Sequence, residues 1–139
     1  MKEQDFNDLP NFTFNEIIRH YQSKGFEYAD CVKEIAKLKK RLFIRLQKVR
    51  TQIGKPIKIN CLTEGKHVKN SLHYMGMAID WHVAGKVNMN KVLQACLDAG
   101  FSGIGVYPFW NKPGFHSDIR AGGIKLWKRD ENGEYKGLV

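Results

Sequence analysis

Long apolar runs are missing from this 139-residue chain: nothing approaches the roughly 18 uninterrupted apolar residues that a membrane-spanning helix needs. The opening Met1-Lys2-Glu3-Gln4-Asp5-Phe6-Asn7-Asp8 carries acids where a secretory signal would be basic and then apolar, so no export address is expected and synthesis in the cytoplasm is. Cysteine is scarce and odd in number. Cys31, Cys61 and Cys96 stand far apart, which excludes a disulfide framework and a paired-cysteine zinc site and leaves reduced, mostly buried thiols. The chain also lacks internal repeats, low-complexity segments and a linker, so one domain over 1–139 is expected. Acids are outnumbered, 14 Asp+Glu against 23 Lys+Arg, and the net charge of +9 asks for an anionic partner without naming it.

What is present reads as α+β. Thr13-Phe14-Asn15-Glu16 fits a capping box and opens a helix over about 13–22. A long amphipathic helix is predicted over 28–53, with Val32, Ile35, Leu38, Leu42, Leu46, Val49 and Ile53 as its apolar stripe and Gly54 as its stop. Strands are expected at 56–61, 77–83, 104–107 and 115–120. Asn88 or Asn90 should cap a helix to about Ala99, and 124–138 should form a hairpin turning near Glu131-Asn132-Gly133. Helices first, then strands with one inserted helix, give a small, mainly antiparallel sheet packed against N-terminal helices.

Alternation along a strand puts Asp80 and His82 on one face, and His116, Asp118 and Arg120 likewise, while Ile79, Trp81, Phe115 and Ile119 point the other way. With His73 just upstream, five possible metal ligands or proton carriers come from two segments. Two imidazoles and one carboxylate satisfy a catalytic zinc ion that keeps its fourth position for water. Spacing alone leaves the ligand set open, because His82 could replace His73 or Asp80, and the helical His-Glu-x-x-His motif is absent. The lysine and arginine stripe Lys33, Lys37, Lys40, Arg41, Arg45 and Lys48 reads first as a solvated helix face and next as a surface for an anionic polymer. Nucleic-acid binding is disfavoured, since no such motif is present and no aromatics interleave with the basic positions.

Ser71-Leu72-His73-Tyr74-Met75-Gly76-Met77-Ala78-Ile79-Asp80 resembles the S-x-H-x-x-G-x-A-x-D signature of the D-alanyl-D-alanine carboxypeptidase/Hedgehog-like zinc peptidases. Gly103-Ile104-Gly105-Val106-Tyr107-Pro108 with Gly114-Phe115-His116-Ser117-Asp118-Ile119-Arg120 resembles a second segment of a phage-associated, cell-wall-remodelling branch. The resemblance spans about residues 11–120. It implies a Hedgehog/DD-peptidase-like fold and zinc on His73, Asp80 and His116, with Asp118 as general base or as an orienting group. Ser71, Tyr107 and Arg120 would meet substrate, a peptidoglycan stem peptide cut as by a carboxypeptidase or endopeptidase. With no export address, such an enzyme fits a phage or prophage product that acts on the cell wall after release, and a monomer is expected. Two positions depart from the family pattern. Pro113 stands where many relatives carry the catalytic carboxylate, which leaves Asp118, or Glu64 swinging in. Asn60-Cys61-Leu62-Thr63-Glu64 replaces a Gly-Tyr-Arg segment, so the substrate-holding Arg is missing. These departures motivate one rival, a non-catalytic module binding wall or serving assembly, and the positive charge motivates a second, a nucleic-acid-binding protein.

Overall fold

The computed structural model describes residues 1–138. After a 3-10 helix at Glu3–Asp8 come α1 (Phe14–Ser23), α2 (Tyr28–Lys37) and α3 (Lys40–Ile53), then strands β1 (Ile57–Cys61) and β2 (Ala78–Val83), helix α4 (Met89–Asp98), and strands β3 (Gly103–Tyr107), β4 (Gly114–Asp118), β5 (Lys125–Arg129) and β6 (Tyr135–Gly137). The class is α+β, with a mixed six-stranded sheet in the order β1-β2-β4-β3-β5-β6. Every neighbouring pair is antiparallel except β3 and β5, which run parallel.

The local chemistry behind these elements is visible at their ends. Thr13 Oγ1 accepts from the Glu16 amide at 3.1 Å and so satisfies one of the orphan donors opening α1. Asn88, not Asn90, caps α4, its Oδ1 taking the amides of Asn90 and Lys91. Gly54 adopts φ 67° to close α3.

The single helix expected over 28–53 is two. Its apolar stripe persists, with Ile35, Leu38, Leu42, Leu46 and Val49 buried, but the chain breaks at Leu38-Lys39, and Val32 is left 39% exposed. The cause lies 37 residues downstream of Lys39. Leu38 takes an extended conformation, and the Lys39 amide donates to the Gly76 carbonyl at 3.0 Å instead of to its own helix. Gly76 sits at φ 69°, where a side chain would overlap the Lys37 carbonyl, so the helix break and the turn after His73 are one packed joint.

Trp81 and Phe115, neighbours across β2 and β4, stack at 5.0 Å on the apolar face of the sheet, and with Ile79 and Ile104 they join helix residues such as Leu42, Leu46 and Val92 in one core. Each such side chain withdrawn from water contributes about 1.5–3 kcal/mol before conformational entropy is set against it. The opposite face carries Asp80, His82 and His116. Among the described residues no helix is long and apolar enough to cross a membrane.

Candidate metal centre

Register brings the two polar segments together. Asp80 on β2 lies directly opposite His116 on β4, and His116 lies opposite Gly105 on β3. His73 arrives from the turn that Gly76 completes. One donor atom from each of His73, Asp80 and His116 falls within 4.8 Å of the other two, a spacing that one metal ion can bridge. His73 Nε2 is 3.4 Å from Asp80 Oδ1, and His116 Nδ1 is 2.9 Å from the same oxygen. The two rings are inclined at 66°, so the planes that contain their lone pairs intersect. His82 shares the face but not the cluster; its Nδ1 is paired with Asn60 Oδ1 at 2.7 Å.

The far side of each imidazole is fixed as well. His73 Nδ1 donates to the Leu62 carbonyl at 2.6 Å, which sets the tautomer and leaves Nε2 as the nitrogen with a lone pair free to ligate. His116 Nε2 donates to Asp118 Oδ2 at 2.8 Å, which leaves Nδ1 facing Asp80. Asp118 has no exposed surface. Beyond His116 it receives Nε and Nη2 of Arg120 at 2.9 and 2.6 Å and the Arg120 amide at 3.1 Å. Gly103 makes room for it, since a side chain there would occupy the carboxylate's own position. The strand expected to reach Arg120 therefore ends at Asp118, because the carboxylate captures the backbone two residues on.

Electrostatics follow from this packing. Burial works to raise the Asp118 carboxyl, but hydrogen bonds from Arg120 and His116 outweigh it and hold the group well below the usual carboxylate range. Asp80 is lowered in the same way, burial being overcome by His116 and His73. Burial disfavours a charged His116, yet its two carboxylate partners raise it above an ordinary imidazole. Two carboxylates aimed at one ring suit a cation between them, whether that is a proton or a metal ion.

The remaining expected residues line the same cleft, a cavity of about 760 Å³. Ser71 Oγ accepts the His73 amide at 3.2 Å and so shapes the turn carrying that imidazole. Tyr107 Oη accepts from Trp127 Nε1 at 3.0 Å, its ring stacks on Trp110 at 4.2 Å, and burial pushes its hydroxyl up to about 12. Arg120 lies 5.3 Å over the Trp127 ring. Glu64, the alternative carboxylate, does not line the cleft. It is buried against the Leu62 amide at 2.8 Å and His20 at 2.7 Å, and those partners lower it despite burial.

Two residues in this neighbourhood were not read from the sequence as a pair. Cys61 and His67 form a second donor group with His73, and Cys61 Sγ lies 3.5 Å from His67 Nε2. Cys61 is half-buried, unlike Cys31 and Cys96, and burial pushes its thiol up to about 12. His67 stacks on His73 at 4.2 Å with an angle of only 7° between rings. Imidazole lone pairs lie in the ring plane, and parallel planes share no point, so one ion cannot bind both rings until His67 turns. Only the spacing of His67 six residues from each partner hinted at this grouping, and a loop has no period to make that hint readable. No protein-family model matches the chain, and comparison with curated proteins and with solved structures likewise gives no match.

Proposed function

We propose that the protein is a zinc metallopeptidase with a Hedgehog/DD-peptidase-like fold that hydrolyses amide bonds in peptidoglycan stem peptides. The observation that carries this reading is the convergence of His73, Asp80 and His116, with the outer nitrogen of each imidazole already fixed by a protein acceptor. Two imidazoles and a carboxylate suit zinc, which when bound there would polarise an amide carbonyl and acidify a water. The sequence resemblance supplies the substrate class, and the positive charge suits wall material.

Each residue has a task in this reading. His73 and His116 present Nε2 and Nδ1, and Asp80 presents Oδ1. Asp118 holds the His116 ring and the proton on its Nε2; with every strong donor around it committed, it acts as a positioning residue and not as the general base. Ser71 and Gly76 set the turn that delivers His73. His67 is the imidazole of the cleft left over for proton transfer. Its Nε2 donates to the Glu64 carbonyl at 2.8 Å, so Nδ1 is the free acceptor. His67 takes the proton of the attacking water and returns it to the departing amine as the C–N bond breaks. Arg120 Nη1 and Lys66 offer positive charge at the cleft for a peptide carboxylate.

The test is release of free amino groups from purified peptidoglycan by the zinc-loaded protein, its His116→Ala variant and its His67→Ala variant. The wild type is expected to cut, His116→Ala to lose both metal and cutting, and His67→Ala to keep zinc with turnover reduced 10²–10⁴-fold, roughly the range for a proton-transfer group. A wild type that holds no metal and cuts nothing ends the proposal. The commitment of both cleft carboxylates, Asp80 and Asp118, favours one second reading, a wall-binding module without turnover. It would be supported by bound zinc with no cutting of any stem peptide.

A further inference from the structure

Beyond the cleft, the same sheet face runs from Asp80 to His82 and changes character. His82 pairs across the ladder with Lys58. There a cavity of about 680 Å³ opens, walled by Lys58, His82, Lys86 and Lys112. A second cavity of about 620 Å³ shares Lys86 with it and adds Lys55 and Lys91. No Asp or Glu lines either cavity, and none of the five lysines has a carboxylate within 4.0 Å among the described residues. Asp98 reaches the outer rim only through Gln52 and Gln94, whose amides take its two oxygens. The helix stripe singled out from the sequence is partly neutralised: Lys37 pairs with Glu34, Lys40 with Asp8, and Arg45 bonds backbone carbonyls, while Lys33, Arg41 and Lys48 have no carboxylate within 4.0 Å among the described residues.

We infer that the two cavities form one continuous binding groove for a phosphodiester-linked polyol chain, the anionic polymer that accompanies peptidoglycan in many walls. The choice of occupant rests on the lining. Five ammonium groups without a neighbouring acid, one of which (Lys55) donates to the Lys86 carbonyl at 2.6 Å, attract a chain of repeating negative charge. Every cation is a lysine, a point charge suited to phosphate oxygens, and no arginine fork is present for planar recognition. No Phe, Tyr or Trp lines the groove, so bases would find no stacking platform, which separates this surface from a single-strand nucleic-acid site. The groove adjoins the cleft along β2, so a bound chain would hold the protein on the wall while the cleft works on the peptide. The choice of a wall polymer rests on the peptidase reading; the charge and geometry of the groove do not.

The experiment is binding of purified poly(glycerol phosphate) to the wild type and to a Lys58→Glu/Lys86→Glu/Lys112→Glu variant across a salt series, with a single-stranded DNA oligonucleotide of matched charge as a second probe. The wild type is expected to bind the polyol phosphate more tightly than the DNA. The variant is expected to lose at least about tenfold in affinity, with the slope of log K against log salt smaller by about 2, near 0.7 for each phosphate contact removed. Zinc content and cutting of a soluble stem peptide should be unchanged in the variant, showing that fold and cleft are intact. Equal binding by wild type and variant overturns the groove, and tighter binding of DNA overturns its occupant. A wild type that binds the polymer but cuts nothing would sink the peptidase reading and leave the groove standing.

Discussion

Asp80 and His82 sit two residues apart on one strand and face the same way, yet their surroundings differ in kind. Around Asp80 are two imidazoles, and behind one of them a carboxylate locked to an arginine. Around His82 are lysines, and burial together with Lys112 and Lys58 lowers the imidazole. The first environment has donors close enough together to share one cation. The second has cations that no carboxylate answers among the described residues. Strand alternation delivers both to one surface, and what distinguishes them is which distant elements close over each end: the His73 turn and β4 over Asp80, and the α4 approach and the loop after β3 over His82.

The largest expected effect comes from breaking the acid end. Asp118→Ala leaves the Arg120 guanidinium and the His116 imidazole without their buried partner, and should cost about 3–5 kcal/mol in urea unfolding of the metal-free protein. Asp118→Asn keeps the shape, and should instead show a 10–100-fold loss of zinc affinity, roughly what removal of an orienting partner produces. Next is the joint beneath the cleft. Gly76→Ala places a Cβ at φ 69° against the Lys37 carbonyl, and destabilisation of at least about 2 kcal/mol is expected by thermal unfolding.

A smaller effect, with a sign in pH, belongs to Glu64. Its carboxyl is lowered in the folded state, so it contributes stability that is present above the unfolded value near 4.5 and is lost as pH falls through the folded value. Glu64→Gln should therefore cost about 1.5–3 kcal/mol at neutral pH, and the gap should close in acid. Smallest is Lys112→Ala at the cationic end. The residue is exposed and unpaired, so stability should stay within about 0.5 kcal/mol of wild type. The salt slope of polymer binding should nonetheless fall by about 0.7.

Period-2 alternation was enough to read β2 and β4, and with them the common face of Asp80 and His116, because side-chain direction in a strand is a property of the strand alone. The break between α2 and α3 was not legible. Ile35, Leu38 and Leu42 stay in helical phase across it, and the acceptor that bends the chain is the carbonyl of Gly76, remote in sequence. The H-x-D spacing showed that His116 and Asp118 point the same way, but not that Arg120 folds back on Asp118 and occupies it. Likewise the charge stripe along α2 and α3 was visible by its regular period, whereas Lys55, Lys58, Lys86, Lys91 and Lys112 come from four separate segments and meet only through the fold.

The most direct test of the central claim is metal content after exhaustive dialysis of the zinc-loaded protein, measured for the wild type and for His73→Ala, Asp80→Asn and His116→Ala, with circular dichroism confirming that each is folded. One tightly held zinc per chain in the wild type, and loss of it in all three variants, is the predicted result. A folded wild type that retains none, or variants that retain as much as the wild type does, would contradict it.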